Sequence, residues 1–117
     1  MKRLLMTLAL PAMLLACSDK DEYCNNVSNP VKEIPWLYEL VEANKSKSVE
    51  VDIYAYEYKG ETVFVVNECN GCADVITVAK DCSGNTICEW GGLLGLNTCP
   101  DFDEEATNKR LVYKNYP

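Results

Sequence analysis

Cysteine spacing is the feature that most constrains how this chain folds. Seven cysteines occur in 117 residues, and five of them lie between Cys69 and Cys99, in a segment rich in glycine and asparagine. Apart from Cys17 near the N-terminus, six cysteines remain, which is an even number. In a small exported domain, as the N-terminal pattern described next predicts, an even set is typical of a disulfide framework that compensates for a core too small to stabilise the fold alone. Spacing alone does not choose among the possible pairings of six cysteines. Cys17 lies apart near the N-terminus, and the six disulfide candidates are Cys24, Cys69, Cys72, Cys82, Cys88 and Cys99.

The chain begins with a pattern that is typical of an export signal. Two basic residues precede an apolar run over residues 4–16, which is too short to span a bilayer stably. The run ends in Leu-Leu-Ala-Cys at residues 14–17, which resembles the lipobox of bacterial lipoproteins. The resemblance implies a signal peptide over residues 1–16 and a mature N-terminus at Cys17 that carries fatty acyl chains such as palmitate.

This signal predicts a location in the bacterial cell envelope. Three acyl chains on a lipobox cysteine would hold the protein on a bilayer essentially permanently. Ser18 follows Cys17 at a position where aspartate often signals retention in the inner membrane, so we expect the outer membrane. The alternative is an ordinary signal peptide cut nearby, which would leave Cys17 as a spare thiol.

Charge and composition limit the partners of the mature chain. Without residues 1–16 the chain has 9 basic and 18 acidic residues, a net charge of −9. Such a surface repels nucleic acid and anionic head groups, so we expect no nucleic acid partner. We expect two partners: a lipid bilayer, contacted through acylated Cys17, and an unidentified protein or glycan ligand. The polar segment 17–30 is predicted to be a flexible tether, and 31–117 a single small cysteine-rich domain.

The first regular element after the tether is a predicted helix over residues 35–44. Pro35 suits the first helical position, where its missing N–H costs nothing. Leu37 and Val41 belong to an apolar stripe at helical spacing. Asn44 is expected to close the helix in a left-handed conformation.

The strongest strand signal predicts a hairpin of residues 49–58 and 62–67. Lys59-Gly60 forms a two-residue turn with glycine, which is a typical hairpin connection. This turn places Ala55 opposite Phe64, on the face that we expect the helix to cover.

The opposite face of this hairpin carries a row of tyrosines and is also apolar enough to need partial cover. Cross-strand packing in the sheet explains the row most simply. A binding surface is the other interpretation, because aromatic side chains provide a large contact area at low entropy cost. The candidate contact residues are Tyr54, Tyr56, Tyr58 and Trp90.

The second half predicts a less regular hairpin of residues 75–79 and 86–90, followed by a glycine-rich loop. A short helix is expected near 103–110, because acidic residues come early and basic residues late. Residues 111–114 are a predicted final strand. The predicted fold class is therefore α+β, with a small antiparallel sheet, a packed N-terminal helix and disulfide crosslinks.

Several of these stretches resemble a family of small uncharacterised lipoproteins from Bacteroidota over roughly residues 34–114. Members often carry adjacent cysteines at the position of Cys72, so Cys69 stands in for one of that pair, while Cys24 and Cys82 are additional. The resemblance implies the envelope compartment and this domain, and it implies no activity. It rests on residues 53–60 and 81–88, Gly91-Gly92, Gly95 and residues 99–102.

The residue types argue against most enzymatic mechanisms. The sequence contains no histidine, which removes the usual general base, the common nucleophile pairs and the commonest metal ligand. Acidic residues near 101–105 could ligate calcium, but a helix start explains them more simply. We therefore expect no enzyme activity, no cofactor and no metal.

Three alternatives remain open at this stage. The spacing of Cys69 and Cys72 matches the redox pair of thiol–disulfide oxidoreductases, although the residues that follow favour a strand over a helix. A small inhibitor of extracytoplasmic hydrolases is a second possibility. The third is a zinc site formed by Cys69, Cys72, Cys82 and Cys88, for which an oxidising compartment makes disulfides the better interpretation.

Whether the loop between two strands has an odd or an even number of residues affects how two of these cysteines can pair. Antiparallel partners point to the same face, so Cys82 and Cys88 share a face only if the loop between their strands has an odd number of residues. An even loop would direct them to different partners. The preferred interpretation overall is a lipid-anchored, disulfide-crosslinked module that acts by binding.

Overall fold

The structure is a computed structural model that describes residues 22–117, so the predicted signal peptide and Cys17 lie outside the described residues. In chain order the elements are α1 (Pro30–Glu33), α2 (Pro35–Asn44), β1 (Asp52–Tyr58), β2 (Glu61–Asn67), β3 (Ile76–Lys80), β4 (Thr86–Gly91), β5 (Leu96–Asn97), α3 (Phe102–Glu105) and β6 (Thr107–Lys114). The strands form one sheet in the order β5-β4-β3-β2-β1-β6, and all neighbouring pairs are antiparallel. The predicted α+β fold class is confirmed.

Helix α2 confirms the predicted helix at both ends. Pro35 occupies the first position, and Leu37 and Val41 are buried against Ile53 and Phe64 of the sheet. This packing stabilises the helix, because ten residues are too few for a stable isolated helix in water. Among the described residues, no helix has the length and apolar character needed to cross a bilayer.

The prediction that Asn44 closes α2 in a left-handed conformation is wrong. Its backbone stays helical, and Lys45 continues in the right-handed helical region. The Asn44 side chain is buried, and its Nδ2 donates to the Leu40 carbonyl at 2.8 Å and to Glu68 Oε2 at 3.3 Å. Asn44 therefore connects the helix end to the loop after β2, which sequence spacing does not reveal.

The first hairpin has the predicted turn and register. Lys59 and Gly60 have φ of 52° and 82°, and a two-residue type I′ turn needs positive φ at both positions. Ala55 pairs with Phe64, as predicted. Strand β1 begins at Asp52, three residues later than the pattern indicated.

Each face of the sheet carries its own buried cluster. Helix α2 and the chain before it cover one face, and Phe102 of α3 covers the other. The second cover explains why both faces of the first hairpin are apolar. The buried members of the first cluster are Tyr23, Ile34, Leu37, Val41, Ile53, Ala55, Phe64 and Val66. Those of the second cluster are Tyr58, Val63, Ala79, Cys88 and Phe102.

The C-terminal prediction is wrong in the length of its helix. Helix α3 ends at Glu105 after four residues, and β6 begins at Thr107. Lys109 and Arg110 lie in an edge strand, where the Arg110 guanidinium is 2.9 Å from Glu57 Oε2 of β1. Backbone pairing with β1 outweighs the helical preference of the local charge pattern, since local propensity is a weak signal.

In residues 23–30 the structure differs from the flexible tether predicted over 17–30. Tyr23 is only 7% exposed, and its ring centroid lies 6.2 Å from that of Phe64. Cys24 is disulfide-bonded to the loop between β3 and β4. One buried ring and one crosslink outweigh the polar composition of this segment, so the packed domain begins before residue 31.

Candidate functional site

Three of the four predicted contact aromatics lie around Phe102. The ring centroids of Tyr56, Tyr58 and Trp90 lie 5.2, 4.8 and 5.0 Å from that of Phe102. Tyr58 is buried, while Tyr56, Trp90 and Tyr54 are half-buried. These rings pack inside the domain, which reduces the area that they can offer to a ligand.

Asp101 fixes α3 against the first hairpin. Its Oδ1 accepts a hydrogen bond from the Tyr58 hydroxyl at 2.8 Å, and its Oδ2 lies 3.1 Å from Lys59 Nζ. The hydrogen bond from Tyr58, followed by that from Lys59, lowers the pKa of Asp101 below its usual range. The same carboxylate raises the pKa of Tyr58 and of Lys59. Asp101 thus has a structural role, and within residues 22–117 no three acidic or cysteine side chains converge as metal ligands.

Disulfides pair all six candidate cysteines. The loop between β3 and β4 has five residues, an odd number, which alone would place Cys82 and Cys88 on the same face. However, a bulge at Ala79 and Lys80 shifts the pairing register before it reaches Cys88, so the two cysteines point to opposite faces. Cys82 consequently packs on the α2 side and Cys88 on the Phe102 side, with different partners. The zinc alternative is wrong, because its four cysteines are separated into three different disulfides. The bonds are Cys24–Cys82, Cys69–Cys72 and Cys88–Cys99.

The Cys69–Cys72 disulfide closes a small ring in the loop between β2 and β3. Within the ring, the Asn70 amide donates to the Glu50 carbonyl at 2.7 Å, and the Cys72 amide donates to the Cys69 carbonyl at 3.1 Å. Asn70 Nδ2 also lies 3.4 Å from the Tyr116 hydroxyl. These contacts fix the ring to the start of β1 and to the C-terminal segment.

The surroundings of this ring do not favour a reactive thiolate. A thiol pKa is lowered by a helix N-terminus or by neighbouring cations. Residues 68–75 connect two strands, and the side chains of Glu68 and Asp74 beside the ring are acidic and exposed. The ring therefore lacks the features that activate the first cysteine of an oxidoreductase.

An exposed apolar patch lies beside this ring. It consists of Ile76, Leu93, Leu94 and Leu96, and borders a cavity of about 510 Å³. Leu93 is 75% exposed and Leu94 is 98% exposed. Isolated exposed leucines are ordinary, whereas contiguous exposed apolar residues make this patch a candidate interaction site.

The backbone of β4 and β5 determines the shape of the patch. Gly91 and Gly92 have φ of 106° and 77°, which L-residues rarely adopt. A Cβ at Gly91 would lie 3.0 Å from the Val75 carbonyl oxygen, so a side chain there would collide with the backbone. The Gly92 amide donates to the same carbonyl at 3.1 Å. Backbone contacts thus hold the leucines outside the core.

The patch and the disulfide ring share one end of the sheet, and the described chain begins at the other. Ile76 opens β3 shortly after the ring, which follows the last residue of β2. Glu22 lines a cavity with Gly60 at the turn of the first hairpin, and the Cys24 amide donates to Thr62 Oγ1 at 3.2 Å. The apolar patch therefore lies at the opposite end of the sheet from Glu22, where the described residues begin.

A polar cavity of about 460 Å³ lies at the hairpin-turn end, beside the Cys24–Cys82 disulfide. Glu57, which lines it, pairs with Arg110. Asp81 accepts backbone hydrogen bonds from Ser83 and Asn85 at 2.9 Å, and those from Asn85 contribute most to lowering its pKa. These two carboxylates have internal partners, whereas Glu22 and Glu61, which also line the cavity, are exposed. Among the described residues, no three acidic or cysteine side chains converge here as metal ligands.

These features define a small disulfide-crosslinked α+β domain built on a six-stranded antiparallel sheet, with an apolar patch at one sheet end. The chain belongs to the family described as a domain of unknown function (DUF6970), whose model matches residues 39–115. The match starts within α2 and covers the whole sheet, so it includes the patch and excludes Cys24. No curated protein and no solved structure matches the chain.

Sequence reasoning missed the apolar patch and strand β5. The signal was present as Gly-Gly-Leu-Leu-Gly-Leu over residues 91–96, where leucines alternate with residues that favour turns. Leucines in a stretch without helical or strand periodicity have no regular element to bury them. Such a stretch predicts either a covered loop or an exposed patch, and only the tertiary structure distinguishes the two.

Proposed function

We propose that this protein is a lipoprotein of the bacterial cell envelope, of the kind found in Bacteroidota, that acts by binding a partner protein and not by catalysis. The lipobox pattern ending at Cys17 supports the anchor and its outer-membrane location. The exposure of Leu93 and Leu94 carries the binding proposal. The candidate binding site is the apolar patch.

The energetics of the patch favour insertion of its leucines into a partner. Full burial of one leucine side chain contributes about 1.5–3 kcal/mol relative to exposure. A few such anchors at the centre of an interface supply most of its binding free energy. The loop is held by backbone hydrogen bonds before binding, so little conformational entropy is lost on docking.

The surrounding charge indicates the chemistry of the partner. Asp74 is exposed and lines the cavity beside the patch, and Glu68 is exposed in the same loop between β2 and β3. These carboxylates would be attracted to cationic side chains and repelled by anionic head groups. The occupant that fits is a protein with an apolar pocket bordered by lysine or arginine.

The position of the patch also favours a protein over the bilayer that holds the anchor. Five residue steps separate Cys17 from Glu22, and at about 3.6 Å each they reach at most about 18 Å. The hairpin-turn end, where Glu22 lies, therefore stays close to the anchored bilayer surface. The patch lies at the far end of the strands, where it is accessible to proteins.

Site-specific crosslinking in intact cells tests the binding site. A photo-crosslinking amino acid at position 96, at the edge of the patch, should give one discrete adduct with a second protein. Adding Leu94→Ser should reduce that adduct at least about tenfold, because one buried leucine is worth more than 1.4 kcal/mol. Leu111→Ser is the matched control, since Leu111 is 46% exposed on β6 at the opposite sheet edge and its loss should leave the adduct unchanged.

Other adducts would contradict this choice of partner. An adduct with twice the mass of the chain would indicate that the partner is a second copy of this protein. An adduct with lipid would indicate that the patch enters the bilayer. An adduct equally strong with Leu94→Ser would remove the patch from the binding site. An extracytoplasmic hydrolase as partner would favour the inhibitor alternative.

Cell fractionation tests the anchor separately. The Cys17→Ser variant should move from the membrane fraction to the soluble fraction, because lipid attachment requires this cysteine. The Cys69→Ser variant is the control and should remain in the membrane fraction. Intact-mass measurement of the wild-type protein should show acyl chains on Cys17, whereas an unmodified N-terminus at another residue would refute the anchor.

A further inference from the structure

We propose that the Cys69–Cys72 disulfide is a site of thiol–disulfide exchange, at which a dithiol reductant reduces this bond selectively and reversibly. The protein would then be a substrate of redox exchange and not its catalyst. This inference does not depend on the apolar patch or on a binding partner. It rests on access to the sulfurs, on ring size and on the contacts of Asn70.

Access distinguishes this bond from the other two. An attacking thiolate must approach a sulfur atom directly, so burial slows exchange. Cys72 is exposed and Cys69 is half-buried in a surface loop. In the Cys88–Cys99 bond, Cys88 is only 1% exposed and Cys99 is half-buried. Both cysteines of the Cys24–Cys82 bond are half-buried against the first cluster, so neither of these bonds has an exposed cysteine.

Ring size also makes the loss of this bond the least costly for the stability of the fold. A disulfide stabilises a fold mainly by restricting the unfolded chain, and this effect grows with the length of the closed loop. The sequence separation is 3 residues for Cys69–Cys72, against 11 for Cys88–Cys99. Opening the small ring therefore leaves the domain folded, so the reduced form persists long enough to be reoxidised.

The contacts of Asn70 favour reversibility. Its amide hydrogen bond to Glu50 and its side-chain contact with the Tyr116 hydroxyl hold the loop from outside the ring. Tyr116 is in turn fixed by its hydroxyl, which donates to Asp52 Oδ2 at 2.6 Å and has its pKa raised to about 12 by that bond. The two thiols stay near each other after reduction, which favours reclosure of the same bond.

The exchange has two steps. A thiolate of the dithiol attacks one sulfur of the pair, a mixed disulfide forms, and the other cysteine leaves as a thiolate that takes a proton from water. The second thiol of the reductant then attacks the mixed disulfide and releases the remaining cysteine, which is also protonated. In total, Cys69 and Cys72 gain two electrons and two protons, and the dithiol is oxidised to a disulfide.

Differential alkylation of the native full-length protein in detergent tests the proposal. The protein is exposed to one fixed dithiothreitol concentration for increasing times, quenched with N-ethylmaleimide and mapped by peptide mass spectrometry. Cys69 and Cys72 should be half-labelled at least about tenfold sooner than Cys88 and Cys99, because exchange is faster at accessible sulfurs. Earlier labelling of either other disulfide, or labelling of all six cysteines together, would overturn the proposal.

Hydrogen exchange provides a second readout that does not depend on labelling. Reduction should accelerate exchange of the Cys72 amide, whose hydrogen bond to the Cys69 carbonyl lies within the ring, and leave the Asn70 amide and the amides of β4 protected. The Cys69→Ser/Cys72→Ser variant should reproduce the exchange pattern of the reduced protein. Faster exchange throughout β4 would show that reduction unfolds the domain and would contradict a local exchange site.

Discussion

Replacement of Cys24 and Cys82 by serine is expected to lower the free energy of unfolding by about 4 kcal/mol. The bond closes a loop with a sequence separation of 58 residues, the longest of the three disulfide loops. In the chain-entropy model, a loop of this length restricts the unfolded chain by about that amount. The bond also holds the segment that places Tyr23 against Phe64, so its loss would expose part of the first cluster.

Urea unfolding of the oxidised proteins measures this effect. The Cys69→Ser/Cys72→Ser variant is the matched control, since it also removes one disulfide but closes a much shorter loop. The chain-entropy model gives about 2 kcal/mol for that ring, so the two variants should differ by roughly 2 kcal/mol. Equal losses would show that loop length does not determine the stabilisation here, and a larger loss in the control would reverse the ranking.

The pairing of Cys24 with Cys82 illustrates what the sequence could not predict. Spacing along the chain carries no information about which distant cysteines meet, because tertiary packing brings them together. The structure joins these two cysteines to each other. Cys24 lies outside the matched family region of residues 39–115, so this bond connects the preceding segment to the family domain.

Local sequence signals correctly predicted the elements that depend on residues close together along the chain. The turn at Lys59-Gly60 determined the register of the first hairpin, since a two-residue turn leaves one alignment of its strands. Pro35 and the apolar stripe located α2. The failures were nonlocal: β6 extends back to Thr107 because β1 supplies its backbone partners, although the charges there favour a helix.

In the candidate site, too, some features follow from local sequence and others depend on tertiary packing. Sequence patterning identified the tyrosine row and indicated that something covers it, but it did not identify Phe102 as the cover. A single phenylalanine in an acidic stretch has no periodicity to mark it as a core residue. Conversely, the leucines of the patch would ordinarily be assigned to a core, yet they follow two positive-φ glycines and are exposed.

Replacement of Phe102 by alanine should lower the free energy of unfolding by about 3–5 kcal/mol, the usual loss for a buried phenylalanine. Phe102 is 5% exposed and contacts the rings of Tyr56, Tyr58 and Trp90. Its removal would leave a cavity over the second cluster and would loosen α3. Unfolding followed by tryptophan fluorescence, to which both Trp36 and Trp90 contribute, and by circular dichroism measures the loss.

Two controls separate packing from general sensitivity to substitution. Phe102→Leu retains most of the apolar volume and should cost less than about 1.5 kcal/mol. Leu94→Ser removes an exposed leucine and should change stability by no more than about 0.5 kcal/mol, even though it abolishes the proposed docking contact. A Phe102→Ala loss below about 1 kcal/mol would mean that α3 does not cover the second face in solution. The tyrosines and Trp90 would then be free to act as the aromatic binding surface that the sequence suggested.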